Sequence, residues 1–205
     1  MMKNKIITFQ EACKYDEIAI ELLRTELLNE HILHVIPVNH DPFFYAPDVD
    51  LLIVNEYYKI QTVEVKVDTY PAFKDANTGT NVKKIYLETI ANDKKFSKSC
   101  ATDGLGNALT SKADYFLYYF IELQSYLVIP TLRMQEWIRV NIPKGIYDIK
   151  SARTYGDSGE YFFSSYGMLV PIDVLIEQCN AKLCKSRTDW NTFKNQYQQG
   201  KKKAA

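Results

Sequence analysis

Two short segments decide how this chain is expected to fold: PDVDLLIV at residues 47–54 and TVEVKVD at residues 62–68. In the second segment, Val63, Val65 and Val67 alternate with polar residues, which is the pattern of a strand with one buried face. The run LLIV in the first segment is short and continuously apolar, as in a buried strand. A short connection joins the two segments, so we predict a hairpin of strands 50–54 and 60–68.

The flanking sequence predicts helices on either side of a sheet. Apolar residues at helical spacing, among them Leu22, Leu23 and Leu27, predict an amphipathic helix over 9–30. Further strands are predicted over 31–38 and 84–90, and a hairpin of strands over 113–122 and 125–130. Helices are predicted over 131–141 and, starting near Pro171, within 168–183. This order predicts a mixed α/β (α+β) fold with a central mixed sheet flanked by helices. We expect one domain over 1–195 and a frayed tail over 196–205.

Composition places the chain among ordinary soluble globular proteins. Of its 205 residues, 46% are hydrophobic and 24% are charged, which is enough for a sizeable core. Its four cysteines include no Cys-x-x-Cys pair, which predicts reduced thiols in a cytoplasmic protein. We find no stretch long enough to span a membrane, so no membrane partner is expected.

The charges are unevenly distributed although the net charge is zero. Residues 1–58 contain four Lys or Arg and ten Asp or Glu, whereas residues 131–205 contain twelve and seven. A basic second part is compatible with a polyanionic partner, and equally with an ordinary solvated surface.

The polar residues of the predicted hairpin could carry chemistry. Asp50 opens the first strand, and Glu64 shares one face of the second strand with Lys66. Two carboxylates and a strand carbonyl, such as that of Val65, form an oxygen-rich site suited to Mg²⁺, with Mn²⁺ as a substitute. Such a site could activate water for phosphodiester hydrolysis, with Lys66 steadying the water or the phosphate. Asp48 is an alternative to Asp50.

The PDVD and EVK segments, taken together, resemble the motif of the PD-(D/E)XK nuclease superfamily, also called restriction-endonuclease-like. In this resemblance Asp50, Glu64 and Lys66 stand at the three motif positions, and it covers residues 9–68. It implies a restriction-endonuclease-like core and a Mg²⁺-dependent deoxyribonuclease, of the kind that phages or mobile elements carry, with DNA as its partner. Many members also place a glutamate on the first helix, where Glu17 and Glu21 are both candidates.

Several alternatives stay open at the level of sequence. A nucleic-acid-binding or protein-binding module with the same fold and little catalysis would fit the same residues. An endonuclease and an exonuclease are not distinguished, and a homodimer is also compatible with the sequence.

Overall fold

A computed structural model of the chain describes residues 8–45, 48–68, 73–74, 81–91, 104–156 and 158–204. Within these residues, six helices span Phe9–Glu26 (α1), Pro42–Tyr45 (α2), Asn107–Thr110 (α3), Thr131–Asn141 (α4), Ile172–Cys179 (α5) and Trp190–Ala204 (α6). Eleven strands span Ile32–Pro37 (β1), Leu51–Asn55 (β2), Ile60–Asp68 (β3), Phe73–Lys74 (β4), Asn81–Val82 (β5), Lys84–Ile90 (β6), Tyr115–Phe120 (β7), Ser125–Pro130 (β8), Ile149–Tyr155 (β9), Tyr161–Pro171 (β10) and Lys182–Lys185 (β11). The predicted mixed α/β class is confirmed.

The main sheet has six strands in the order β1-β2-β3-β7-β8-β11. Strands β2 and β3 form the predicted antiparallel hairpin, with Leu51 opposite Val63. Strand β7 pairs with β3 in parallel, with Val63 opposite Tyr115, and β8 returns antiparallel to β7. The sheet is therefore mixed, as predicted, and its single parallel pair lies beside the strand that carries Glu64 and Lys66.

Helix α1 covers one face of this sheet. Its N-terminus is closed by a capping box, in which Thr8 and Glu11 exchange hydrogen bonds between side chain and backbone. Leu22 and Leu23 are fully buried in one core with the valines of β3, so the predicted apolar stripe is confirmed. The helix ends at Glu26, earlier than predicted, because the Asn29 side-chain oxygen accepts hydrogen bonds from the next backbone N–H groups and turns the chain into β1.

A second core lies on the opposite face of the main sheet. Phe116, Tyr118 and Phe120 of β7 point into it. The apolar sides of α4, α5 and a three-stranded sheet, in the order β6-β10-β9, pack against them. The polar side of β3 is on this face too, since Glu64 and Lys66 lie opposite Phe116 and Tyr118 in the parallel register. The polar side of β3 is therefore partly enclosed and does not fully face solvent.

The C-terminal part of the chain contains a long strand and two helices. The helix predicted within 168–183 is confirmed as Ile172–Cys179, which begins directly after Pro171. Residues 161–171, before it, form the long strand β10 and pair with both β6 and β9. Residues 196–204, predicted to be a frayed tail, continue α6. Tyr197 of this helix packs against the core beside α1, which supplies the burial that the polar sequence did not indicate. None of the helices described is long and apolar enough to cross a membrane.

Candidate functional site

The three residues predicted to carry chemistry meet in one groove. Asp50, Glu64 and Lys66 line an open depression of about 290 Å³ where the β2–β3 hairpin meets α1. Asp16 of α1 and Asp48, which precedes β2, line the same depression. We call the space bounded by these five side chains the candidate groove.

The Asp50 carboxylate is held by the backbone of β3. Its Oδ2 accepts a hydrogen bond from the Val65 N–H at 2.7 Å, and its own N–H donates to the Val63 carbonyl at 2.9 Å. The N–H and C=O of one strand residue point to the same side of the strand, so the Val65 carbonyl also faces the Asp50 side. The three metal ligands predicted from sequence, Asp50, Glu64 and the Val65 carbonyl, are thus brought to one end of the hairpin.

Glu64 and Lys66 form an ion pair within the candidate groove. The Lys66 Nζ lies 2.5 Å from the Glu64 Oε1, with the glutamate side chain 4% exposed and the lysine side chain 32% exposed. The Asn107 side-chain amide of α3 donates to the same Glu64 oxygen at 3.4 Å. Burial raises the pKa of Glu64 to about 8, Lys66 opposes this rise, and Asp50 adds to it. Burial lowers the pKa of Lys66, but the carboxylates of Glu64, Asp16 and Asp50 outweigh this effect and raise it.

Helix α1 brings two carboxylates to the candidate groove: Glu17 at the rim, which is one of the two predicted candidates, and Asp16, which the sequence analysis missed. Burial raises the pKa of Asp16 to about 6, with Lys66 lowering it and Asp50 raising it, so the three charges are close together. Glu17 lies at the rim, where its Oε2 is 2.9 Å from the Lys201 Nζ. Glu21 lies one turn further along and pairs with Arg24 at 3.1 Å.

Glu17 and Glu21 both line a second depression that adjoins the candidate groove. This depression, of about 660 Å³, runs between α1, the end of β1 and Tyr197 of α6, and we call it the neighbouring groove. Glu17 and His40 line both grooves, so the two are continuous at the surface. Glu21 is therefore placed beside the site, whereas Glu17 marks the boundary between the grooves.

Asp48 belongs to the candidate groove although the sequence favoured Asp50 over it. Its backbone is left-handed, with φ of 53°, and burial raises the pKa of its carboxyl group, while Lys66 opposes this. Thr110 of α3 donates to its Oδ2 at 3.5 Å. Glu88 of β6 also interacts electrostatically with Lys66, so the second sheet contributes one further carboxylate near the lysine. Asp48, which the sequence offered as an alternative to Asp50, thus shares the groove with it.

The candidate groove has an excess of oxygen donors over positive charge. Five carboxylates line it, Glu17 at the rim among them, together with the ammonium group of Lys66. Hard oxygen donors in excess are the ligands that Mg²⁺, Mn²⁺ and Ca²⁺ prefer, so the donor set fits a divalent cation. Among the described residues, no three acidic, histidine or cysteine side chains are already arranged around a point that could hold a metal ion.

Comparisons of the chain with protein-family models, with curated proteins and with solved structures give no match.

Proposed function

We propose that this protein is a Mg²⁺-dependent DNA nuclease that hydrolyses phosphodiester bonds in the candidate groove. The observation that carries the proposal is the convergence of Asp50, Glu64 and Lys66 at one end of the β2–β3 hairpin, beside a carboxylate from α1. These residues stand at the motif positions of the PD-(D/E)XK superfamily, and a restriction-endonuclease-like core and a cytoplasmic location are part of the proposal. Mn²⁺ is expected to replace Mg²⁺.

The proposed ligands of the cation are the carboxylates of Asp50 and Glu64 and the Val65 carbonyl. A bound divalent cation supplies Lewis-acid stabilisation of the phosphate and lowers the pKa of water. The Val65 N–H holds the Asp50 carboxylate in place, so this ligand is pre-oriented by the strand itself. Asn107 orients the Glu64 carboxylate in the same way.

Lys66 has a separate role in the proposed reaction. Its ammonium group is held among carboxylates that keep it protonated, so it presents a fixed positive charge to the groove. With Glu64 as a ligand of the cation, the Lys66 ammonium would be placed to contact the attacking water or a phosphate oxygen. Asp16 lies close enough to Lys66 and Asp50 to position one of them or the attacking water.

The test is a cleavage assay on supercoiled plasmid, linear duplex, single strands and a four-way junction, each with Mg²⁺, Mn²⁺ and EDTA. We expect cleavage with either metal and none with EDTA. Asp50→Asn, Glu64→Gln and Lys66→Met keep the shape of each side chain and should each abolish cleavage. Glu136→Gln, on the exposed side of α4, is the matched control and should cleave like the wild type.

Two results would reject the nuclease assignment. One is the absence of cleavage of every substrate by the wild type. The other is wild-type cleavage by two of the three site variants. DNA binding without cleavage would instead favour the binding module that the sequence left open.

The contribution of α1 can be tested in the same assay. Asp16→Asn should reduce cleavage strongly, because Asp16 lines the candidate groove. Glu21→Gln should retain cleavage, because Glu21 lines the neighbouring groove and pairs with Arg24. Glu17→Gln should have an intermediate effect, since Glu17 stands at the rim. Equal activities for the Asp16 and Glu21 variants would remove Asp16 from the mechanism.

A further inference from the structure

The aromatic ring of Phe43 in α2 is held in solvent. The residue is 80% exposed, which makes it the most exposed of the large apolar side chains that the structure describes. Its ring lies edge-to-face against that of Phe44, with 5.2 Å between the ring centroids, so the face of the Phe43 ring is available to another molecule. Single exposed apolar residues are common on proteins, and it is therefore the position of this ring that decides what it can do.

Phe43 belongs to a segment that borders both grooves. Residues 38–44, which we call the aromatic segment, follow β1 and include most of α2. His40 lines both grooves, Pro42 lines the neighbouring groove, and Phe44 lines the candidate groove. The residues on either side of Phe43 therefore line the two grooves, and its exposed ring lies at the point where they adjoin.

Hydrogen bonds fix the aromatic segment to the candidate groove. The Val38 N–H donates to the Asp50 carbonyl at 2.8 Å, so the segment starts from the backbone of a proposed cation ligand. The Asp41 side chain then accepts a hydrogen bond from the Phe43 N–H at 2.9 Å, and the Asp41 carbonyl accepts one from the Phe44 N–H at 3.0 Å. The ring is thus carried by an ordered backbone, and a ligand that stacks on it pays little for ordering the protein.

A nucleotide provides the two chemical features that this position would recognise. The flat face of its base stacks on aromatic side chains, and its phosphate can lie in the adjoining groove that holds the proposed cation site. In an intact duplex, neighbouring bases cover these faces, whereas a single strand or a branch point leaves bases free to stack on protein rings. An exposed ring beside a site for phosphodiester hydrolysis therefore favours a substrate with unpaired nucleotides.

We propose that Phe43 stacks on an unpaired nucleobase of the substrate and so places the adjoining phosphate in the candidate groove. This inference rests on the proposed function, for which it names the substrate class: single strands and branched or frayed duplexes, in preference to intact duplex. In this proposal Phe43 determines specificity, because it contacts the substrate away from the bond that is cleaved.

The first test measures binding and not cleavage. A fluorescent single strand and the corresponding duplex are titrated with protein in EDTA and in Ca²⁺, and their anisotropy is followed. Phe43→Leu removes the aromatic face but keeps an apolar side chain, whereas Phe43→Tyr keeps the ring. Tyr57→Leu is the matched control, because Tyr57 is 73% exposed at the turn of the β2–β3 hairpin, the end opposite Asp50. Melting temperatures verify that each variant is folded.

We expect the wild type to bind the single strand more tightly than the duplex. Phe43→Leu should bind the single strand about fivefold to a hundredfold more weakly than the wild type, which is the range for loss of one stacked base. Phe43→Tyr and Tyr57→Leu should bind like the wild type.

A second test detects the contact directly. Phe43→Trp places an indole at the same position, and stacking on a base quenches the fluorescence of an indole. The native Trp137 and Trp190 are 7% and 2% exposed, so their emission should change little when an oligonucleotide binds. We expect stronger quenching of Phe43→Trp by the single strand than by the duplex, and no additional quenching in the Tyr57→Trp control.

Several outcomes would overturn the inference. Wild-type affinity of Phe43→Leu for the single strand would show that the ring makes no contact, and equal weakening of Phe43→Leu and Tyr57→Leu would mean that exposed apolar surface in general matters. Equal binding of single strand and duplex by the wild type would remove the preference for unpaired bases. A wild-type dimer that Phe43→Leu dissociates, with unchanged oligonucleotide binding, would assign the ring to a contact with a second copy of the chain.

The proposed function is decided separately, by the cleavage assay of the Asp50, Glu64 and Lys66 variants. A protein that passes both stacking tests but cleaves no substrate would reject the nuclease assignment and keep the contact with an unpaired base. A protein that cleaves DNA, with Phe43→Leu equal to the wild type in binding, would keep the nuclease and reject the stacking contact.

Discussion

The Asp50→Asn substitution tests metal binding by the candidate groove separately from the stability of the folded protein. The side-chain amide oxygen that Asp50→Asn introduces can still accept the Val65 N–H hydrogen bond, so the local structure should be retained. The substitution removes a negative charge that acts on Glu64, so the stability of the metal-free protein should stay equal or rise. The variant also loses a proposed ligand, so most of the stabilisation by metal should disappear.

The expected size of the stabilisation by metal follows from the linkage between binding and folding. A cation that binds only the folded protein, present at a hundredfold excess over its Kd, stabilises it by about 2.7 kcal/mol. For a chain of this length 1 kcal/mol shifts Tm by about 2–4 °C, so the wild type should gain about 5–11 °C. The assay is a thermal melt of the wild type, the Asp50→Asn variant and the Glu136→Gln control, with EDTA and with millimolar Mn²⁺. An identical metal response in all three proteins would show that Asp50 binds no metal. A large fall in the Tm of metal-free Asp50→Asn would show that its carboxylate is structural.

Three further predictions concern the scaffold around the candidate groove. Glu26 is buried, but hydrogen bonds from Thr188 and Arg187 hold its pKa below the usual range. Its contribution to stability should therefore be complete above about pH 4.3, the pKa in the unfolded chain, and should be lost as the pH falls through the lower pKa of the folded protein; urea titrations of Glu26→Gln should lack this loss. Gly106→Ala would press a Cβ against the Glu88 carbonyl oxygen and should lower the free energy of unfolding by about 1–3 kcal/mol. Gly200→Ala, in open space within α6, should raise it by about 0.5–1 kcal/mol in the same titration, and equal effects of the two substitutions would contradict the packing described. Trp190→Ala should cost about 3–5 kcal/mol of unfolding free energy, and a loss below about 1 kcal/mol would mean that α6 contributes little to the core.

The elements that were predicted correctly have strong local patterns. The β2–β3 hairpin, the β7–β8 hairpin and α4 each combine an apolar pattern of one period with a clear turn or helix start. Strand β9 was missed because it is an exposed edge strand without alternating burial. Strand β10 was missed because Ser164, Ser165 and Gly167 interrupt its apolar residues, although both serines are buried. Helix α6 has a polar sequence, and its burial depends on Trp190, whose partners are distant in sequence.

The same distinction applies to the candidate groove. Asp50, Glu64 and Lys66 could be predicted because a two-strand hairpin places them by alternation alone. Which carboxylate of α1 reaches the groove could not be predicted, because neighbouring residues of a helix point about 100° apart and the sequence does not reveal which face meets the hairpin. The family resemblance made Glu17 and Glu21 the candidates, and the structure places Glu17 at the rim of the groove and Asp16 beside Lys66. Asp48 was an alternative to Asp50 at the level of sequence, but its hydrogen bond from Thr110 depends on the packing of α3. The proximity of Glu88 to Lys66 depends on the packing of the second sheet, which no local pattern encodes.

The contact between α1 and α6 also sets an order for assembly during synthesis. Glu17 and Lys201 are separated by 184 positions, and Glu26 and Arg187 by 161. At about 5–20 residues per second, a ribosome adds Lys201 roughly 10 to 40 seconds after Glu17. The hairpin that carries Asp50 and Glu64 is complete long before then, because its two strands adjoin in sequence. A nascent chain therefore has Glu17 and the hairpin in place well before Lys201, and the contact between α1 and α6 at the rim of the groove forms late in translation.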